Sequence, residues 1–417
     1  MRRTVLSVAR VGLLAVCAAC GTRQPVAEAE APEPIRISGD TCPNPTVGAN
    51  VALTSALGEA SSPVIAFDGE GFRLAWWGMR GKFPSVSTMR VDRAGASPSP
   101  MEMLPHDGVA KDQTVAVDSA ETHVVWMDDT AVKSMRLPSG GQLPAKYADR
   151  ATAAAGGSRG AVAWVEKGIL YFRCDGMLPP PDRSGVRLEP PPTAVARGGI
   201  EDPRIAWNGE QYAVVWSSSV AGGRQIMLQR LSNTGARVGG QVLVSGTAGV
   251  SRNPEIAVAS TGFAVVWTNA ASDANNPRDR FWIFFAVVQP AGDTPAFTRQ
   301  LEFNGSADHV AIAAAGGEYG VAWVGSVEPM GSAVFFARLD AAGKPAGATV
   351  RISDDKPLTC GRPSLAFSGD GYGVAWHDDR SQTGSEILFS FLKCGEPEAE
   401  AADAGAPEEP KLKKLFE

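Results

Sequence analysis

The chain has 417 residues, 44% of them hydrophobic and 20% charged, with 46 glycines, 30 prolines and a formal net charge of −6. That length and apolar content can bury a large core, while the acidic balance leaves no basic face to neutralise phosphates, which excludes nucleic acid as an expected partner. The charge lies mainly at the ends: removing Arg2, Arg3 and Arg10 gives −9, residues 21–41 net −2 and residues 396–417 net −4, leaving −3 for the body.

In chain order, residues 1–20 read as an export signal, with Arg2 and Arg3 followed by an apolar run, Val5–Ala19. The run is interrupted by Ser7 and Arg10 and falls short of the roughly 20 apolar residues a spanning helix needs. Ala18-Ala19-Cys20-Gly21 resembles the bacterial lipobox, in which the cysteine is lipidated and becomes the mature N-terminus. The resemblance implies a lipid on Cys20 and an exported, outer-membrane lipoprotein on the periplasmic or cell-surface side. Cys17 stands where the motif usually carries leucine, and an ordinary cleaved signal peptide is the alternative. Residues 21–42 are rich in Pro, Ala and Glu and read as a disordered tether, as residues 395–417 read as a disordered acidic tail.

Between them, residues 43–394 repeat one twelve-residue pattern seven times. The clearest copies are Ile205–Trp216 (IAWNGEQYAVVW), Ile256–Trp267, Ile312–Trp323 and Leu365–Trp376; Ile65–Trp76 and Val115–Trp126 match well, and Ala153–Trp164 is degenerate. In each copy an apolar opener stands eleven positions before the tryptophan, and the Trp-to-Trp steps are 50, 38, 52, 51, 56 and 53 residues. Short strands repeating at about that period are the signature of a propeller. Glycine-rich turns such as Asn208-Gly209 and Gly369-Asp370-Gly371 supply the positive φ of a hairpin between first and second strands. A third strand follows (Ile226–Leu231, Val334–Leu339, Ile387–Leu392), then an outer one (Val242–Ser245, Val350–Ser353). The expected fold is therefore all-β: a seven-bladed β-propeller of four-stranded antiparallel blades, with the repeated aromatics filling the core between blades. The turn Asp68-Gly69-Glu70-Gly71 lacks the alternating Asp/Asn run of a calcium loop, so it reads as hairpin chemistry.

The seventh unit lacks an outer strand, and an orphan strand, Val51–Ser55, precedes the first opener. Pairing the two closes the ring and removes exposed edges. Cys42 stands thirteen before Ser55, as Asp340 stands thirteen before Ser353; Cys394 stands eighteen after Trp376, as Ala341 stands eighteen after Trp323. Both cysteines thus map to one turn, which predicts a Cys42–Cys394 disulfide, with Cys360–Cys394 as an alternative and Cys174 left as a thiol.

In such a ring, the loops entering the first strands and leaving the second strands gather around the central channel, where ligands bind. Those positions carry Asp112, Asp202, Asn253, Asp308 and Arg362, and, after the tryptophans, Asp128-Asp129, Arg278 and Arg280, and Asp378-Asp379-Arg380. The four histidines show no metal-ligand spacing, and neither a nucleophile elbow nor a phosphate-cradling glycine loop occurs, so no metal or cofactor is expected.

Tyr372-Gly-Val-Ala-Trp376-His-Asp-Asp-Arg380, with Arg230-Leu231 and Arg338-Leu339 ending third strands, resembles a repeat of secreted and lipid-anchored bacterial proteins, aromatic-x-Val-x-Trp-x-Asp-x-Arg. The resemblance covers Val51 to Cys394 and implies a propeller. The expectation for function is a monomeric, membrane-anchored binding or scaffold module taking a protein or glycan on its loop face. The alternative is a glycan hydrolase or lyase using Asp128, Asp202 or Asp378 at the channel mouth.

Overall fold

A computed structural model of the chain describes residues 41–395 except 55–57, 81–82, 105–109, 118–121, 129–130, 138–144, 147–149, 157–158, 175–190, 222, 247–248, 260–261, 271–280, 302–305, 328–330, 355–360 and 382–383. Cys20, residues 21–40 of the tether, residues 396–417 of the tail, Cys360, Asp129, Arg278 and Arg280 lie outside the described residues, as do the side chains of Asp112, Asp128 and Arg380.

The described residues form strands and turns, with no helix among them. β1 (Thr46–Val47) and β2 (Val51–Ala52) come first, and then the strands fall into successive antiparallel groups. β3 (Ala60–Phe67), β4 (Phe72–Arg80), β5 (Phe83–Val91) and β6 (Glu102–Met103) make one sheet; β7 (Ala110–Val117), β8 (Thr122–Asp128), β9 (Ala131–Leu137) and β10 (Ala145–Lys146) make the next. β11 (Arg150–Gly156), β12 (Arg159–Glu166), β13 (Ile169–Cys174) and β14 (Thr193–Arg197) form a third. The group β15 (Ile200–Trp207), β16 (Gln211–Val220), β17 (Gly223–Ser232), β18 (Arg237–Leu243) is joined to the group β19 (Gly249–Ala259), β20 (Gly262–Ala270), β21 (Phe281–Val288), β22 (Phe297–Leu301) by a two-residue parallel pairing of β17 with β19. β23 (Ala307–Ala315), β24 (Glu318–Ser326), β25 (Ser332–Asp340) and β26 (Val350–Arg351) follow, then β27 (Ser364–Phe367), β28 (Gly371–Ser381) and β29 (Gly384–Lys393).

The last sheet takes its outer strand from the other end of the chain. β1 pairs with β29 through Thr46–Lys393 and Val47–Leu392, and β2 through Val51–Phe389 and Ala52–Leu388. The expected strand Val51–Ser55 therefore begins earlier, at Thr46, and is broken into two pieces. Leu53 N continues the ladder with a bond to Ile387 O at 2.8 Å. Cys42 and Cys394 form the disulfide beside this pairing, 352 residues apart in sequence. Cys174 is buried at the end of β13, where its thiol donates to Asn233 O at 3.2 Å.

Each repeated tryptophan is buried, between 0% and 6% exposed. It packs against the preceding group: Trp126 with Ala75 and Val86, Trp216 with Phe172, Trp267 with Leu228, Trp323 with Phe285, Trp376 with Phe336. Trp76 sits with Ala375, Ile387 and Phe389, so the first group packs on the last in the same way. The aromatic near the start of five of the second strands (Phe72, Tyr212, Phe263, Tyr319 and Tyr372) does likewise. Phe72 covers Gly373 and Tyr372 covers Gly320 so closely that a Cβ on either glycine would stand 2.6 or 2.5 Å from the ring. Alternation apolar on both faces is what sheets buried between two neighbours require.

The turns behave as hairpin chemistry predicts. Gly69, Gly209 and Gly369 take φ of 95°, 98° and 94°. Asp68 Oδ1 accepts the amides of Glu70 and Gly71, and Asp68 pairs with Arg90 at 2.6 Å. Burial raises the Asp68 carboxyl, but its bonds to Arg90 and those amides outweigh this and hold it below its ordinary value.

Candidate functional site

Five of the first strands carry a β-bulge at one place. Register slips between Ser61 and Val64, Lys111 and Thr114, Glu201 and Arg204, Arg252 and Glu255, and Asp308 and Ala311. In each, two residues oppose one, and the skipped residue on the second strand is the repeated tryptophan. Before β27 the same arrangement recurs: Gly361 N bonds His377 O, and Ser364 pairs with Ala375 across Trp376. Ser62, Asp202, Asn253 and His309 adopt φ of 49–52°, the left-handed conformation that Asn and Asp tolerate best. A proline follows in Ser62-Pro63, Asp202-Pro203, Asn253-Pro254 and Arg362-Pro363, at a position where a missing N–H costs no ladder bond.

These bulges re-aim the residues expected at the channel. Asp112, Asp202, Asn253 and Arg362 all stand three before their openers, and all but Arg362 lie inside strands, not in entering loops. Asp308 is one position off: His309 occupies its register place. Asp128 ends β8, and Asp378, Asp379 and Arg380 lie within β28, because the second strands run on past their tryptophans.

An open cavity of about 490 Å³ lies among the first strands, lined by residues of every group. Val64, Val115, Ala151, Ile205, Ile256, Ile312 and Leu365 form its wall. Of the expected residues, Asp202 and Arg362 line it. Asp378 does not: it is 1% exposed, folded into the sheet end. Asn253 Nδ2 instead donates to Asp308 Oδ1 at 3.5 Å, linking β19 to β23.

Two charged cavity residues were not singled out by sequence: Arg204 and Glu255. Both stand one before an opener, where other groups carry Val64, Thr114, Thr152, Ala311 and Ser364. Arg204 Nε donates to Glu255 Oε1 at 2.9 Å, and Arg362 Nη2 donates to the same oxygen. Arg362 reaches past β23, which offers only Ala311 at this level. A charged residue at a register position otherwise small or uncharged was the available signal. Trp77 is a third omission: the repeated Trp76 is buried, while its non-repeating neighbour is half-buried and faces the cavity.

A chain of contacts also crosses from the last group to the first two. Ser62 N donates to His377 Nδ1 at 3.4 Å, Ser62 O accepts from Gln113 Nε2, and the His377 ring covers Gly361. Burial lowers the His377 pKa below 6.5; the His309 charge lowers it further, while Asp379 and Asp378 oppose the shift. A depressed histidine stays neutral in the fold, so the unfolded chain takes up the extra proton as pH falls through 6.5, and stability is lost there. Melting temperatures followed from pH 8 to pH 5 should therefore fall more steeply for the native protein than for His377→Gln. Parallel curves for the two proteins would show that this contact contributes nothing to the pH dependence.

No protein-family model matches the chain, and no curated protein does. Among solved structures it is similar to a protein of unknown function from Dyadobacter fermentans, with a TM-score of 0.51, 13% identity, and coverage of 85% of this chain and 100% of that one. It is also similar to a Trypanosoma rangeli sialidase (TM-score 0.44, 11% identity, 84% of this chain and 60% of that one) and to the WD40 domain of SCAP from fission yeast (TM-score 0.45, 6% identity, 83% and 98%). The Dyadobacter likeness is one of fold alone. The architecture is propeller-type: four-stranded antiparallel sheets packed face to face in succession.

Proposed function

We propose that this chain is an exported, lipid-anchored seven-bladed propeller that binds a protein or glycan ligand at its channel mouth and catalyses nothing. The observation that carries the reading is the polar cavity to which all the first strands contribute, with a carboxylate held between two guanidiniums inside it. The ring of seven is supported by the packing of Trp76 against β28 and β29 and by the pairing of β1 and β2 with β29, which leave neither end group uncovered. On this reading Cys20 is the anchoring residue, joined to the propeller through residues 21–42. The protein acts as a monomer.

The hydrolase or lyase alternative has a specific observation in its favour, since Asp202 and Glu255 both line the cavity. Glu255, however, is engaged by two arginines, an arrangement for positioning a ligand and not for delivering a proton.

The anchoring half of the proposal is tested by fractionation. The native protein should pellet with membranes and require detergent for release, and Cys20→Ser should move it to the soluble extracytoplasmic fraction. If both forms fractionate alike, Cys20 is not the anchor. The binding half is tested by ligand capture with Arg362→Ala, which should lose the ligand while retaining the native melting temperature to within a few degrees.

A further inference from the structure

The cavity is divided in a way that specifies more than binding. One side, built by the fourth, fifth and seventh groups, carries all the charge that faces it among the described residues: Asp202, Arg204, Glu255 and Arg362. The opposite side, from the first three groups, carries no charge among the described residues and is rich in hydroxyls, with Ser62, Thr114, Thr152, Gln113 and the Trp77 indole. Two cations and two anions cancel, so an ion entering the cavity meets no net attraction to repay its lost hydration. A hydroxyl group is suited to both sides, because it donates to a carboxylate and accepts from a guanidinium at once. Ligands that carry many hydroxyls on a compact ring with an apolar C–H face also match the half-buried Trp77 indole that lines the cavity. The volume, about 490 Å³, lies within the ordinary range for a small-ligand site.

From this division we infer that the channel mouth takes the end of a neutral saccharide. One sugar ring lies on Trp77 with its hydroxyls on the Ser/Thr side, and the next set of hydroxyls bridges Glu255 and the two arginines. The inference rests on the mouth being the binding site and names its ligand class. Because no net charge is involved, binding should be nearly insensitive to salt, unlike recognition of an acidic sugar or a basic peptide.

The test is a binding panel with the full chain in detergent: neutral oligosaccharides of glucose, galactose, mannose and xylose, uronic-acid oligomers, and a peptide library, each titrated at about 0.05 and 0.5 M salt. At least one neutral saccharide should bind with similar affinity at both. Trp77→Ala should weaken it by about tenfold and Trp77→Phe by less, since a ring remains. Arg204→Ala should weaken it roughly ten- to a hundredfold. Retained near-ultraviolet dichroism and melting temperature show that each variant is folded. Three results overturn the inference: binding confined to uronic-acid oligomers, binding confined to peptides, and no binding of any neutral saccharide. In the first two, sensitivity to Arg204→Ala would leave the mouth standing as a binding site with another ligand. If no probe depends on the mouth residues, that reading fails as well.

Discussion

Cys42→Ser and Cys394→Ser should each lower the melting temperature by the same amount, and the double variant should fall no further. The two sulfurs form one bond, so breaking it from either side removes the same constraint. The bond closes a loop with a sequence separation of 352, for which chain entropy alone gives about 5–6 kcal/mol, against roughly 2–5 kcal/mol lost when native disulfides are removed. For a body of this size, a loss of about 3–5 kcal/mol corresponds to roughly 4–7 °C, taking average unfolding entropies per residue. The position adds to the effect. β1 and β2 are two residues each, and they hold the last sheet to the N-terminal end of the chain. Strands that short do not persist unless their ends are fixed. Reductant should reproduce the shift in the native protein and leave the double variant unchanged. Additive losses from the two single variants would mean that the sulfurs act separately. Cys174→Ser is the control, because a serine hydroxyl can keep the bond to Asn233 O.

The pairing of these cysteines was legible in the sequence because the repeat works as a ruler. Counting from the tryptophans placed both in one turn of one unit. The same ruler located the glycine turns and the buried aromatics, since each rests on a local requirement that recurs along the chain: positive φ after an apolar strand, or an aromatic side chain where two sheets meet. It failed where one unit departs from the rest. The split of the outer strand into Thr46–Val47 and Val51–Ala52 has no counterpart that counting could supply.

The site was legible only in part, and for a related reason. Loop-borne polar residues were expected, whereas among the described residues all of them but Arg362 stand in strands, several of them at bulges facing the buried tryptophans. The bulge turns the residue three before each opener out of the ladder, but a sequence shows only that Ser, Asp, Asn or Arg precedes proline. The two residues that organise the cavity, Arg204 and Glu255, follow such prolines directly. The bond from Arg362 to Glu255 spans 107 positions and passes over Ala311, so it depends on three separate strand groups and not on any one segment. Asp378 errs the other way: its Asp-Asp-Arg context looked like a surface loop, yet β28 continues through it and buries its side chain.

Glu318→Ala should destabilise the protein by about 3–5 kcal/mol, the cost of leaving a buried partner charge uncompensated. Glu318 opens β24 and is 4% exposed. Its carboxylate accepts the Cys42 amide at 2.7 Å and is gripped by Arg338, with Nε at 3.1 Å and Nη2 at 2.6 Å. It therefore joins the sixth group to the residue where the disulfide begins. The Tyr372 hydroxyl is buried nearby, and burial together with the Glu318 charge holds its pKa well above the ordinary value. Removing the carboxylate strands the Cys42 amide and the Arg338 guanidinium, neither of which reaches water easily. Glu318→Gln keeps an acceptor for the amide but not the charge, so its loss should be intermediate, about 1–3 kcal/mol. Replacing Glu318 and Arg338 together with leucines should recover much of the loss, since no charge is then left buried. The decisive measurement is a cycle with Cys42→Ser, read by denaturant unfolding. If Glu318 seats the N-terminal segment, its deletion should cost less once the clasp is gone, with a coupling of roughly 0.5–3 kcal/mol. Strict additivity in that cycle would place Glu318 as a partner of Arg338 alone, with no part in holding the two chain ends together.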